Sequence, residues 1–205
     1  MTIKTIYLAG GCFWGTQKFF DQFHGVVSTE VGYANGPEAA NDANSPEAAD
    51  GANGQEGTNG LASAPTYQDV CNNSGHAETV RIDYDDSVLS LTDLLNYYFL
   101  VIDPLSVNKQ GGDVGIQYRT GIYYTSEEQL PEIEAVYREQ EEKAGAKLAV
   151  ELEPLRNFYS AEEYHQKYLD KNPGGYCHIP VTTMNELKDL SEEELTDRLI
   201  SREYY

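Results

Sequence analysis

The sequence predicts an α+β protein, a two-layer αβ sandwich of helices on a mixed sheet, and three observations support this. Short runs rich in β-branched and aromatic residues recur along the chain, segments with apolar helical periodicity and capping signals separate some of them, and no internal repeat is present. The first run, Ile3 to Ala9, reads as a buried strand. Gly10 and Gly11 permit a sharp turn after it, and Thr16 to Phe23 carries aromatic residues at helical spacing. Val26–Tyr33, Glu78–Tyr84, Ile116–Tyr124 and Leu148–Leu152 read as further strands. Ser90 with Asp93, Ser160 with Glu163 and Ser191 with Glu194 read as capping boxes that start helices. Residues 127–144 read as a solvent-facing helix with Pro131 near its first turn.

Length and composition bound the organisation. The 205 residues suit one domain with a full core, whereas a mean hydropathy of −0.54 indicates that part of the chain is not packed. Residues 34–64 are almost entirely Ala, Asn, Gly, Pro, Ser and acidic residues, with only Leu61 as a large apolar side chain. Such a segment buries too little surface to offset its ordering entropy and is expected to be a mobile insertion, either a tolerated surface loop or a lid. Residues 1–180 are thus expected to form one domain containing this insertion, and 181–205 a C-terminal helical tail. The 14 basic against 34 acidic residues give a net charge of −20, which argues against nucleic acid or an anionic membrane surface as partner. No stretch approaches the roughly 18 apolar residues of a membrane span, and three scattered cysteines suit a reducing compartment, so a cytoplasmic monomer is expected.

The chemistry centres on Gly10-Gly11-Cys12-Phe13-Trp14-Gly15, where a thiol follows a strand and precedes a helix, beside the only tryptophan. The helix N-terminus is expected to favour the thiolate and make Cys12 a nucleophile at neutral pH; a structural cysteine in a tight turn is the alternative. Four further polar clusters lie in loops or at element ends: residues 65–71, with Tyr67 and Cys71; Gly75-His76-Ala77-Glu78; residues 111–119, with Asp113 and Gln117-Tyr118-Arg119; and residues 171–177, ending in Cys177. His76 or His165 could pair with Cys12 in a thiol hydrolase. His165 is expected to support the core or back the site, and His24 and His178 to lie in surface or loop positions. No Cys-x-x-Cys or His-x-x-x-His spacing indicates a metal site, and no Gly-Lys-Ser/Thr follows the glycines to bind phosphate.

Taken in series, the Gly-Cys-Phe-Trp-Gly, Gly-His-Ala-Glu and Gln-Tyr-Arg elements resemble the A-type peptide methionine sulfoxide reductases, which act on the S epimer, and the resemblance runs from about Ile6 to Cys177. It departs at residues 34–64, where the family usually has a short loop, and in lacking a further cysteine that some members carry after the position of Cys177. The resemblance implies a ferredoxin-like core and assigns Cys12 as nucleophile and Glu78 as proton donor. It assigns Tyr67 and Tyr118 as hydrogen-bond partners of the sulfoxide oxygen, Phe13 and Trp14 as aromatic walls for the S-methyl group, and Asp113 as an orienting residue. Cys177 then resolves the Cys12 sulfenic acid, and thioredoxin, or dithiothreitol in vitro, reduces the disulfide directly with no bound cofactor. Substrates would be methionine sulfoxide, free or in peptides and proteins. Cys71 is expected to pack. The competing readings are a Cys-His thiol hydrolase and a non-catalytic, redox-sensing module that captures oxidised peptides.

Overall fold

The structure, a computed structural model, describes residues 2–37, 64–188 and 190–201. The insertion expected at 34–64 therefore lies, from residue 38 to 63, outside the described residues. The first strand, β1 (Ile3–Gly10), leads into α1 (Phe13–Phe20) and β2 (Val26–Ala34). After the short helix α2 (Tyr67–Cys71) come β3 (Ala77–Asp85) and α3 (Leu91–Val101), then a two-stranded ribbon of β4 (Lys109–Gln110) and β5 (Asp113–Val114). A 3-10 turn at Ile116–Tyr118 precedes β6 (Thr120–Tyr124), which is followed by α4 (Leu130–Ala144), β7 (Glu151–Pro154) and β8 (Phe158–Ser160). Three helices close the chain: α5 (Tyr168–Lys171), α6 (Val181–Leu187) and α7 (Glu192–Ser201).

The main sheet runs β7-β6-β1-β3-β2-β8. β3 pairs antiparallel with both β1 and β2, and β6 pairs antiparallel with β1. The order β6-β1-β3-β2, with α1 and α3 as the intervening helices, is the βαββαβ arrangement of a ferredoxin-like core. Parallel β7 beside β6 and antiparallel β8 beside β2 widen it. Strand alternation decides which side chains meet the helices. Ile6, Leu8, Val80, Ile82 and Ile122 join Phe19, Phe20, Leu94, Leu95 and Tyr98 in the large core, while Tyr7, Ala9, Ala77 and Tyr123 form a small cluster against Phe158. The Tyr98 hydroxyl donates to the Ala9 carbonyl at 2.8 Å, tying α3 to the end of β1 just before the cysteine.

Several expected elements are displaced, each for a physical reason. α1 starts at Phe13 with Cys12 at the N-cap, as expected, but ends at Phe20, short of Phe23, with Asp21 as its C-cap. The expected strand 116–124 is interrupted: Gly115 turns the chain at φ +152 and the Arg119 guanidinium binds the Ile116 carbonyl, so the backbone becomes extended only from Thr120. The strand expected at 148–152 lies at Glu151–Pro154, since pairing with β6 begins at Glu151 while Leu148 and Val150 are buried ahead of it. Ser160 does not cap a helix. It ends β8 opposite Gly32, its hydroxyl donates to Glu30, and Lys167 at φ +52 delays the helix to Tyr168. The Ser90 cap stands, with its hydroxyl accepting from the Asp93 N–H, and both halves of the Ser191–Glu194 box form. In α6 and α7, Met184, Leu187, Leu195 and Leu199 are buried in the large core.

Candidate active site

The site forms at the end of β1, where the chain turns into α1. Gly11 has φ +82, and a Cβ there would come within 2.6 Å of the Gln110 side chain, so the turn needs glycine on both counts. Gln110 is itself fixed, since its amide accepts from the Asp103 N–H and donates to the Asp103 carbonyl, each at 2.8 Å. The turn leaves Cys12 buried, 6% exposed, at the start of the helix. Glu78, from β3, is 1% exposed and accepts the Phe13 N–H at 3.0 Å. Burial pushes the Glu78 carboxyl up to about 8, opposed by the Phe13 N–H and reinforced by the charge of Asp113, so it is protonated at neutral pH.

The electrostatics of Cys12 correct one expectation. Burial pushes its thiol well above the usual range, the Glu78 carboxylate adds to this once it ionises, and the Trp14 N–H offsets it only partly. The helix N-terminus therefore does not by itself produce a thiolate, because desolvation outweighs the few N–H groups that face the sulfur. In the unliganded protein Cys12 is a thiol beside a protonated acid.

Around this pair stand the other expected residues. Tyr67, first residue of α2, is half-buried; its phenol is raised by burial, and both Glu78 and Cys71 act on it. Tyr118, in the 3-10 turn, is likewise raised by burial, with Glu78, Cys12 and Asp113 contributing. Asp113, on β5, accepts from the Tyr176 hydroxyl at 3.1 Å and acts on both Cys12 and Glu78. Phe13 is 1% exposed, so its ring is a floor packed on Tyr33 and His165 at 5.9 and 5.2 Å. Trp14 is half-buried, stacks on Tyr168 at 3.8 Å and donates its Nε1–H to His165 Nδ1 at 3.0 Å. Cys177 lies against the first turn of α1, its thiol donating to the Ile179 carbonyl at 3.0 Å.

Other side chains hold these in place, and most of them carry no local signal. His165 backs the site as expected, contacting Trp14, Phe13 and the Tyr67 ring at 4.5 Å. Glu162 accepts from the Tyr33 hydroxyl at 2.6 Å and the Tyr67 N–H at 2.9 Å, joining β2 to the start of α2. Arg119 pairs with Glu151 at 2.9 Å and donates to the Asn35 carbonyl, which fixes the turn bearing Tyr118. No local pattern marked Tyr168 as the ring that stacks on the tryptophan. Cys71 does not pack: it is exposed at the end of α2, because that helix is a single turn on the surface. His178 lies in a loop, as expected, but is half-buried there, wedged against Gly11 and Gly15. His24 is exposed, and His76 meets Ser74 and Tyr159. His165 Nδ1 is engaged by Trp14 and His76 Nδ1 by Ser74, and among the described residues no hydrogen bond joins either ring to Cys12. Among the described residues no group of three or more His, Cys, Asp or Glu is placed to hold a metal ion, and no helix is long and apolar enough to cross a membrane.

A cysteine beside a protonated acid, with an aromatic wall and a second cysteine packed on the first turn of the helix it starts, defines a thiol-dependent oxidoreductase on a widened βαββαβ frame. Comparison with known proteins names the kind. The family model for peptide methionine sulfoxide reductase matches residues 4–49 and 52–197, and the chain belongs to this family. It is 52% identical over 187 residues to the peptide methionine sulfoxide reductase MsrA of Lachnoclostridium phytofermentans, an alignment covering 91% of this chain and 98% of the relative. Among solved structures it resembles reduced Mxr1 from Saccharomyces cerevisiae at a TM-score of 0.73 and 38% identity, over 87% of this chain and 91% of the other. Methionine sulfoxide reductase A of Corynebacterium diphtheriae gives a TM-score of 0.67 at 30% identity, over 87% and 83%. Yeast Mxr1 is also known in complex with Trx2.

Proposed function

We propose that the enzyme reduces the S epimer of methionine sulfoxide through Cys12, with Glu78 as proton donor and Cys177 as resolving thiol. The observation that carries this reading is the placement of the Glu78 carboxyl on the Phe13 N–H, next to Cys12, in a setting that keeps it protonated up to about pH 8. The sulfoxide oxygen takes hydrogen bonds from the phenols of Tyr67 and Tyr118, while the S-methyl group lies against Trp14 over the Phe13 floor. Glu78 gives its proton to that oxygen, and the carboxylate so formed takes the proton of the Cys12 thiol as its sulfur attacks the sulfoxide sulfur. Oxygen passes to Cys12, methionine leaves, and the thiol has become a sulfenic acid: the substrate sulfur is reduced by two electrons and Cys12 is oxidised by two. The raised Cys12 thiol fits this order, because the proton it must lose has an acceptor only after Glu78 has acted.

Cys177 condenses with the sulfenic acid to give a Cys12–Cys177 disulfide and water. A thioredoxin-type dithiol then reduces that bond in the cytoplasm, in keeping with the Mxr1–Trx2 complex described for the yeast relative. Asp113 and Tyr176 border the substrate. A redox-sensing binder would not need a protonated acid at the thiol.

The test is turnover of the separate S and R epimers of a methionine sulfoxide peptide with dithiothreitol. Only the S epimer should be consumed, and Cys12→Ser should abolish its consumption; loss of neither epimer, or retained turnover in Cys12→Ser, would overturn the assignment.

A further inference from the structure

We propose that His178 is the base of the resolving step, taking the proton of Cys177 as its sulfur attacks the Cys12 sulfenic acid. The inference rests on the reading of Cys12 and Cys177 given above. Its basis is the convergence of two side chains on one glycine. A Cβ built on Gly15 would lie 3.0 Å from Cys177 Sγ and 3.1 Å from His178 Nδ1, so sulfur and ring nitrogen crowd the same point on the first turn of α1. A Cβ on Gly11 would lie 3.4 Å from His178 Nε2. The imidazole thus spans the backbone from Gly11 to Gly15, the stretch that carries Cys12, and the two glycines leave room for it.

The ring is also uncommitted. Both of its nitrogens are buried and neither makes a hydrogen bond of ordinary geometry, although the Gly10 backbone lies close enough to favour the protonated ring. A buried polar group without a partner calls for an explanation, and catalytic use is one. Burial holds the imidazole below its usual range, against opposing effects of Asp113 and Gly10, so the ring is neutral and able to accept a proton. The other titratable groups around this point are Asp113, the Tyr176 phenol that donates to it, Cys12 and Cys177. Burial raises the Cys177 thiol, with Asp113 adding to it and the Ile179 contact subtracting, so Cys177 does not ionise unaided at neutral pH.

The step balances without an outside reagent. The S–S bond forms as the Cys12 S–O bond breaks; the thiol sulfur is oxidised and the sulfenic sulfur reduced by one electron each. The oxygen leaves as hydroxide and takes from the imidazolium the proton that came from Cys177, giving water.

The experiment mixes reduced enzyme with one equivalent of a methionine-S-sulfoxide peptide without reductant, and follows the methionine burst and disulfide formation separately. In His178→Gln the burst should keep its rate, while disulfide formation at pH 7 slows by about 10²-fold. The gap should narrow as pH rises and Cys177 ionises without help, and added imidazole should restore the rate in His178→Ala. A disulfide rate within about twofold of the parent would overturn the proposal, as would a deficit equal at every pH and untouched by imidazole, which marks a structural role. A missing burst in the parent would instead overturn the reading of Cys12.

Discussion

Glu78 is where burial and chemistry are most tightly joined. Its carboxyl receives an N–H at the start of a helix, an arrangement that ordinarily favours the anion, yet desolvation dominates and moves it up to about 8. Glu78→Gln keeps an acceptor for the Phe13 N–H but has no proton to give, so methionine formation should fall by ~10²–10⁴-fold. The parent's first step should also decline as pH rises above about 8, where the acid form is lost. Stability should respond in the opposite sense. The folded carboxyl holds its proton more tightly than the unfolded one, so its burial costs nothing below about pH 4.5 and progressively more up to about pH 8. Thermal melts at pH 9 should therefore show Glu78→Gln at least as stable as the parent, with an upper bound on the gain of about 5 kcal/mol. A variant that melts lower, or reduces sulfoxide normally, would contradict this account.

At the scale of elements, the site depends on short pieces held by polar contacts. α2 has five residues and owes its geometry to Thr66, whose hydroxyl accepts from the Asp69 N–H while Asp69 accepts from the Thr66 N–H. Thr66→Ala should cost ~1 kcal/mol of local stability. Because Tyr67 opens this helix, amide exchange should accelerate over 67–71 and KM should rise, with the global melt little changed; unaltered exchange there would show that Glu162 alone fixes the helix. The caps at Ser90 and Ser191 were legible because residues three apart must meet at any helix start. The one at Thr66–Asp69 was missed because a single turn leaves no apolar periodicity, and the one read at Ser160 failed because that serine is committed to β8 by pairing with Gly32.

At the scale of the whole molecule, the described helices beyond Pro180 pack on the main core. Leu195 and Leu199 of α7 are buried in the main core, and Arg198 pairs with Glu186 of α6 at 3.0 Å. Replacing Leu195 by Ala should lower stability by ~2–5 kcal/mol while turnover at room temperature stays near the parent's, because α7 carries none of the residues assigned to the site. An unchanged melting temperature would mean that α7 is not held on the core.

The residue types that carry the chemistry, and the frame that bears them, were determined by the sequence alone. A cysteine between glycines after an apolar run, a Gly-His-Ala-Glu element, and strands alternating with capped helices are local patterns set by backbone freedom and side-chain periodicity. The tertiary structure decided what those residues are like in place. It alone made Glu78 a protonated acid and Cys12 a thiol rather than a thiolate, since a pKa depends on desolvation by neighbours distant in sequence. It alone joined Trp14 to His165 and Tyr168, and set His178 beside Cys177 over Gly15, because contacts across more than 150 residues are fixed by packing and have no local signature.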